Sequence, residues 1–336
     1  MSQSKRELVR AALNNEPVDR VPVGFWHHFL ENPEQTEGLG QPEVAAANLA
    51  GHSKFYQAFK PDFVKIMSDG FFHYPYKPLY TFTSVKEAAA IAPIGADAPW
   101  IEEQVKLVKA ATALFGGEVL SFYNIFAAPR YLEFTYTAGN ANDNFVRLLQ
   151  KDKAALKHIL DVMSEDLALL AKRVIADGGA DGIYLSVQNI PRPEVTRQIY
   201  EEVIAPAEKK ILAAANAVSD TNILHICGYE GNRNDLTWYK DYAVKAINYA
   251  AVVEGVSLSE AKRIFGGRTV IGGLDNTRNS PLYKGSRAEV DALTEAIIKD
   301  AGKTGVIIGA DCTVPEDIDL QRLNWVRDKA AALSAK

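Results

Sequence analysis

The strongest constraint on the fold is a regular alternation of short β-rich runs with longer segments of helical spacing. The intervening segments, such as EDLALLAKRVIADGG (165–179), carry apolar residues at helical intervals and end in glycine. Strands that alternate with helices in this way lie parallel in one sheet. The β-rich runs are RVPVGFW (20–26), DFVKIM (62–67), VLSFYNIF (119–126), DGIYLSV (181–187), TNILHIC (221–227), AINYAAV (246–252), TVIGGLD (269–275) and GVIIGAD (305–311). Eight such units predict an α/β fold with one (β/α)8 TIM barrel over residues 1–336.

Additional segments are expected at the start of the chain and above the barrel. Ser4 and Glu7 have the spacing of a capping box, which predicts an N-terminal helix that ends near Asn14. The long segments 27–44 and 73–82 follow the first two predicted strands. Both would lie over the C-terminal face of the barrel, where the active sites of such barrels are found.

Composition excludes several classes of function. The 336 residues are 47% hydrophobic and 24% charged, as in an ordinary globular protein, and the formal net charge is −5. Without a basic bias, a nucleic-acid partner is not expected. No apolar run is long enough for a membrane span or a signal peptide, so we expect no membrane association and a cytoplasmic location. A homodimer is a possible assembly that the sequence does not decide.

The chain has two cysteines, and one of them shares a strand with a histidine. His225 and Cys227 are two residues apart in TNILHIC, so their side chains point to the same face of the strand. Cys312 directly follows the last predicted strand. One histidine and two cysteines at the same end of a barrel are three ligands that zinc favours, with a fourth position left open. The alternative is that two buried thiols and a hydrogen-bonded histidine simply pack in the core.

The order and spacing of several motifs resemble the uroporphyrinogen decarboxylase superfamily over nearly the whole chain. These motifs are DRVPVGFW, DFVKIMSDG, GADGIYLSV, HICG, GGLDN and GADCTVPEDI. Within the superfamily, His225, Cys227 and Cys312 resemble the zinc motif of the methylcobamide:thiol methyltransferases, which include the coenzyme M methyltransferases. The decarboxylases instead follow their first strand with arginines that bind the carboxylates of a tetrapyrrole, and the matching stretch here, GFWHHFLEN, contains no arginine.

The resemblance implies a zinc-dependent methyltransferase with a corrinoid, a methylcobamide, as co-substrate. Zinc would hold a small-molecule thiol as its thiolate, and the thiolate would take the methyl group from cobalt. The chain lacks the D-x-H-x-x-G cobalamin signature, so the corrinoid is expected on a separate corrinoid protein. A rim for that partner is predicted from early aromatic residues, namely Phe25, Trp26, Phe71, Phe72, Tyr74 and Tyr76.

Further site residues are predicted from the same strand ends. Asp69 matches the decarboxylase aspartate and is the candidate catalytic residue. Asp275 and Asp311 are candidates to orient His225 through hydrogen bonds, although solvated loop aspartates are equally common. The candidate substrate contacts are His27, Tyr123, Asn124, Tyr184, Gln188 and Asp275.

Three alternatives to the thiol methyltransferase stay open at this point. One is a uroporphyrinogen-decarboxylase-like lyase that acts on a smaller acid. Another is a corrinoid-linked O-demethylase, in which zinc activates a methyl ether. The last is a zinc-binding module without enzymatic activity. The sequence does not identify the methyl acceptor or donor, because barrel pockets are built from loops whose shape cannot be read from it.

Overall fold

A computed structural model describes residues 3–134, 143–189, 194–228 and 233–333. These residues form a curled sheet of seven parallel strands, which are hydrogen-bonded to one another in chain order. The strands are β1 (Phe63–Ile66), β2 (Leu120–Phe126), β3 (Gly182–Val187), β4 (Ile223–Ile226), β5 (Ala246–Tyr249), β6 (Thr269–Leu274) and β7 (Val306–Ala310). The alternation in the sequence therefore predicts the α/β class and seven of the strands.

Helices connect the strands, as expected for parallel pairs. Their bounds are α1 (Lys5–Leu13), α2 (Pro42–Phe59), α3 (Pro78–Thr81), α4 (Val85–Ala89), α5 (Pro99–Leu114), α6 (Ala128–Glu133), α7 (Asp143–Lys151), α8 (Lys153–Ala176), α9 (Arg197–Ile199), α10 (Ala205–Asn216), α11 (Ala251–Glu254), α12 (Leu258–Ile264), α13 (Pro281–Lys284), α14 (Arg287–Ala301) and α15 (Leu320–Ala332). A π-helical turn, Tyr200–Ile204, joins α9 to α10, and a 3-10 helix covers Leu236–Tyr239. The capping box of α1 is confirmed. None of these described helices has both the length and the apolar character needed to cross a bilayer.

The expectation of an eighth strand at residues 20–26 is wrong for the described structure. Only Val23 of this segment forms a bridge, which is parallel and joins it to Ile308 of β7. On the other side, the Val23 carbonyl accepts a hydrogen bond of 3.0 Å from the Asp62 amide, next to β1. The segment thus lies where an eighth strand would lie, between β7 and β1, and the fold is TIM-barrel-like.

Local chemistry explains why residues 20–26 do not continue as a strand. The Asp62 carboxylate accepts the Val23 amide at 2.7 Å, so this amide is not available to a neighbouring strand. The same carboxylate binds the Arg20 guanidinium through both of its oxygens. Pro22 has no amide hydrogen to donate. At Gly24, any side chain would begin 2.2 Å from the Phe63 ring, so only glycine fits.

Two hydrophobic layers cover the two faces of the sheet. The larger layer lies between the sheet and the helices. The smaller layer, here called the inner core, fills the barrel interior and consists of Val9, Ala12, Leu13, Trp26, Phe63, Met67, Leu120, Phe122, Tyr184, Ile223, Ala246, Ile271 and Ile307. Alternate residues of the strands contribute to it, as the two-residue period of a strand requires.

A buried acid lies in the helical layer. Glu208 on α10 is 1% exposed and accepts hydrogen bonds from the hydroxyls of Tyr200 and Tyr242. Burial raises the pKa of Glu208 to about 7, and the two tyrosine hydrogen bonds oppose this shift only in part. The folded protein therefore binds a proton at this site at pH values where the unfolded chain has lost it.

The raised pKa of Glu208 makes the stability of the folded protein depend on pH. Because the pKa of Glu208 is raised on folding, its contribution to stability is complete below the unfolded pKa of 4.5 and is lost as pH rises through about 7. Each pH unit between these two pKa values corresponds to about 1.4 kcal/mol, so the loss is roughly 3 to 4 kcal/mol. The variant Glu208→Gln cannot ionise, so its free energy of unfolding relative to the wild type should increase between pH 5 and pH 8. Urea unfolding at several pH values measures this difference, and other titrating groups cancel because both proteins carry them. An equal difference at every pH would contradict the prediction.

Candidate metal centre

Three potential metal ligands meet at the C-terminal ends of the strands. His225 lies on β4 and is 2% exposed, Cys227 follows directly after this strand, and Cys312 follows β7 by two residues. Both cysteines are reduced and partly exposed. Because all the strands are parallel, their C-terminal ends lie on the same side of the sheet. The predicted convergence of the three side chains is therefore seen in the structure.

Two of the distances among the three donor atoms match those expected around one zinc ion. The Sγ atoms of Cys227 and Cys312 are 3.9 Å apart, and Cys312 Sγ is 3.5 Å from His225 Nε2. All three atoms lie within 4.8 Å of one another. With usual zinc–sulfur and zinc–nitrogen bond lengths, the edges of a tetrahedron are about 3.8 Å between sulfurs and about 3.6 Å between sulfur and nitrogen. The donor set thus fits zinc in type, and the two distances that involve Cys312 fit it in spacing.

Asn248 selects the histidine atom that faces the two sulfurs. This residue pairs with His225 across β4 and β5, and its Oδ1 is hydrogen-bonded to His225 Nδ1. The Asn248 amide nitrogen donates to the carbonyls of Ile271 and Ala310, which fixes the amide with its oxygen toward the histidine. His225 Nδ1 must then carry the proton, and Nε2 presents a lone pair. A ligand histidine needs this tautomer.

The expected partners of His225, Asp275 and Asp311, have other roles. Asp275 accepts a hydrogen bond of 2.7 Å from the Thr277 amide in its own turn. Asp311 accepts the Val252 amide at 2.8 Å, where α11 begins, and burial raises its pKa to about 7. Sequence reasoning missed Asn248. The available signal was a polar residue at a barrel-facing position of the neighbouring strand.

The charge around the cysteines favours a thiolate. The pKa of Cys312 lies well below its usual range, because Cys227 hydrogen-bonds its sulfur and because His225 and Lys65 lie nearby, while burial acts in the opposite direction. The threonine next in sequence, Thr313, also directs its hydroxyl at this sulfur, at 3.8 Å. A metal ligand must be deprotonated, and these neighbours favour that state.

Side-chain amides hold the main chain at Cys227. Its carbonyl accepts hydrogen bonds from Gln188 Nε2 at 3.2 Å and Asn234 Nδ2 at 2.9 Å. Asn234 is held in turn by the Glu254 carboxylate. Gln188, which was predicted to contact substrate, is thus seen to support the end of β4 next to the metal centre.

The candidate catalytic residue Asp69 is buried and already has two partners. One carboxylate oxygen is 2.7 Å from His28 Nδ1, and the other accepts the Phe29 amide at 2.6 Å. Burial alone would lower the pKa of His28, but the Asp69 carboxylate outweighs this effect and raises it. The ion pair places Asp69 behind His28, which is the more exposed of the two.

The remaining predicted contacts divide between the two faces of the sheet. Tyr123 points to the helical layer, where its hydroxyl donates to Gln104 at 2.8 Å, so it lies away from the metal centre. Asn124 faces the interior and is hydrogen-bonded to Ser68 and Ser186. Tyr184 belongs to the inner core, with its ring centroid 6.0 Å from that of His225.

Two cavities meet at His28. One, of about 290 Å³, lies between His28 and the loops after β6 and β7, and Thr313 connects it to the metal centre. The other, of about 580 Å³, lies between α2 and the loops that contain His27 and Glu316. His28 and Glu316 border both. The smaller cavity thus reaches Thr313, whose hydroxyl oxygen is 3.8 Å from Cys312 Sγ.

The aromatic rim predicted for a corrinoid partner is largely core. Five of its six members are at most 2% exposed, and only Tyr76 is partly exposed; the five are Phe25, Trp26, Phe71, Phe72 and Tyr74. The aromatic segments pack beneath the surface because their rings contact one another, as Tyr74 and Trp100 do at 5.8 Å between centroids. They do not form an exposed surface.

Comparison with known proteins is consistent with this architecture. A solved structure of a methyltransferase from Methanosarcina mazei aligns with a TM-score of 0.67 at 16% identity, covering 98% of this chain and 99% of that chain. A B12-independent methionine synthase from a Shewanella species, in complex with selenomethionine, aligns with a TM-score of 0.60 at 12% identity, covering 94% and 98%. An endo-glycoceramidase II from a Rhodococcus species reaches 0.52 at 12% identity, covering 91% and 78%. At these identities the likeness shows the fold alone.

The sequence comparisons are more specific. No curated protein matches the chain. The family model described as uroporphyrinogen decarboxylase (URO-D) matches residues 74–333, well over half of the sequence. The match covers six of the seven strands and all three candidate metal ligands. The chain therefore belongs to the uroporphyrinogen decarboxylase family.

Proposed function

We propose that this chain is a zinc-dependent methyltransferase that moves a methyl group between a corrinoid, carried by a separate protein, and a thiol. The observation that carries the proposal is the donor set of His225, Cys227 and Cys312, whose donor atoms lie within 4.8 Å of one another, with Nε2 of the histidine directed at the sulfurs. Two solved structures of the same fold are described as a methyltransferase and a methionine synthase.

The residues of the chain have distinct roles in this proposal. His225, Cys227 and Cys312 would hold the metal, and Asn248 would keep the histidine in its binding tautomer. Bound zinc would lower the pKa of a substrate thiol, so that the thiol is available as the nucleophilic thiolate. The cavity between His28 and Thr313 would receive the rest of the thiol molecule. The methylcobamide and its corrinoid protein would approach from the C-terminal face.

Family membership alone would also allow a decarboxylase, but the site favours the methyltransferase. Asp69, the residue a decarboxylase would need, is 0% exposed and has both oxygens hydrogen-bonded to His28 and Phe29. The stretch from Gly24 to Asn32 provides no arginine for a tetrapyrrole carboxylate. A donor set of histidine and cysteines has no part in decarboxylation of that kind.

The metal ligands are tested by removing each sulfur. Cys227→Ser and Cys312→Ser should each lose zinc, from about one ion per chain to a small fraction of that, because a serine hydroxyl is a poor zinc ligand at neutral pH. Elemental analysis of purified protein measures the zinc, and circular dichroism should show an unchanged fold. Thr313→Val, which replaces only the hydroxyl next to Cys312 Sγ with a methyl group, is the matched control and should keep the metal. Full zinc retention by either serine variant would refute the ligand assignment.

The reaction is tested with methylcobalamin and a panel of thiols. One thiol should discharge the methyl–cobalt absorption bands, and its binding should release close to one proton below the pKa of the free thiol. Calorimetry in buffers of different ionisation enthalpy counts that proton. An O-demethylase would instead bind an ether, which has no proton to lose. A thiol that supports turnover but binds without proton release, with an affinity unchanged by zinc removal, would disprove the mechanism.

The decarboxylase alternative has its own test. Incubation with uroporphyrinogen should give no coproporphyrinogen, because the chain lacks the arginines that bind the carboxylates of a tetrapyrrole. Chromatography of the oxidised porphyrins detects the product, and a known decarboxylase assayed in parallel is the control. Formation of coproporphyrinogen at enzymatic rates would make Asp69 the central catalytic residue and would exclude the methyltransferase proposal.

A further inference from the structure

Lys65 is a charged residue inside the barrel that the proposed reaction has not used. It lies on β1 between Phe63 and Met67, which both belong to the inner core, and it is 4% exposed. Every other lysine and arginine that the structure describes is at least partly exposed. A lysine side chain is costly to bury without a partner of opposite charge. A leucine or methionine would fill the same space without that cost, so packing alone does not explain a lysine here.

The Lys65 ammonium packs against two aromatic rings that also lie next to His225. Its Nζ is 4.5 Å from the Tyr184 ring centroid and 5.0 Å from that of Trp26. The two rings are themselves 6.0 and 6.4 Å from the His225 ring. Burial lowers the pKa of Lys65 to about 8, and the charges of Cys312, Cys227 and Asp69 act to raise it. The charges of the two cysteines therefore reach the Lys65 side chain, whose position is fixed by the two rings beside His225.

Two buried polar groups on the rings next to Lys65 can each donate a hydrogen bond. The Tyr184 hydroxyl and Trp26 Nε1 are both buried, and neither has a hydrogen-bond partner among the described residues. Within the same part of the chain, the Lys65 ammonium makes its close contacts to aromatic faces. Such a group of donors creates a positive potential that suits an anion. The two thiolates and the metal would together be neutral, whereas a substrate thiolate adds one negative charge.

We propose that Lys65 is the counter-cation of the substrate thiolate: its buried ammonium stabilises the negative charge that a thiolate brings to the metal centre. The inference rests on the proposed function and adds a positioning residue to it. Lys65 acts on the charge of the site and is not a metal ligand. Its role should therefore depend on whether the bound molecule is an anion, and not on whether zinc is bound.

The test compares an anionic and a neutral probe of nearly the same shape. Zinc-loaded wild type, Lys65→Met and Lys65→Arg are titrated by calorimetry with 2-mercaptoethanol and with its S-methyl derivative, 2-(methylthio)ethanol. Lys65→Met should keep about one zinc per chain and bind the neutral thioether as the wild type does, but it should bind the thiol at least about tenfold more weakly. Lys65→Arg restores the charge and should recover most of the thiol affinity.

A matched control separates local charge from net charge. Lys106→Met removes one positive charge from an exposed position of α5 and should leave the affinity for both probes unchanged. Equal affinity of Lys65→Met and wild type for the thiol would overturn the inference. An equal loss of affinity for both probes would also overturn it, because it would indicate a packing role, and a loss of zinc would do so because it would indicate a role in metal retention. If the wild type itself binds no zinc, the proposed function fails, and that outcome is visible before any Lys65 variant is compared.

Discussion

The whole arrangement depends on one buried carboxylate, that of Asp62. This side chain is 0% exposed, accepts the Val23 amide and forms a bidentate ion pair with Arg20. It thereby holds a short segment of extended chain against β1, while Val23 bridges to β7 on the other side. The two edge strands of the sheet are brought together in this way, although no regular strand lies between them. An unpaired sheet edge would expose a row of main-chain amides and carbonyls.

The geometry of the candidate metal centre depends on the curling of the sheet. His225 on β4 and Cys312 after β7 are 87 residues apart in the chain, yet their donor atoms are 3.5 Å apart. In a flat sheet, two strands would separate β4 from β7, so side chains on these strands could not touch directly. Curling of the sheet brings the barrel-facing side chains of distant strands toward one axis. The candidate metal centre and the position of Lys65 on β1 near it both require this curling.

Part of this could be predicted from the sequence. The period of two along TNILHIC places His225 and Cys227 on one face, and the alternation of strands and helices places Cys312 at the same end, so the convergence of these three side chains could be predicted without a structure. The side of the sheet on which Tyr123 lies could not be assigned in this way. Side chains alternate along a strand, so an error of one residue in the assignment moves a side chain from the barrel interior to the helical layer. The role of Asn248 could not be predicted either, since it depends on the register between two strands. The aromatic segments are ambiguous for another reason, because a buried ring and an exposed one have the same sequence signal.

His225 is oriented by a neutral amide, that of Asn248, and not by a charged group. Many ligand histidines are oriented by a carboxylate, which adds charge to the site and can be neutralised by acid. Here the orienting group has no ionisation in the biological range, and two main-chain carbonyls, of Ile271 and Ala310, fix its direction. The histidine orientation is thus set by main-chain carbonyls of β6 and β7, through an amide that does not titrate. In the proposed zinc-bound state, the charge of the centre would then be set by the two cysteines, the metal and any bound anion, so a single added charge would be a large relative change there.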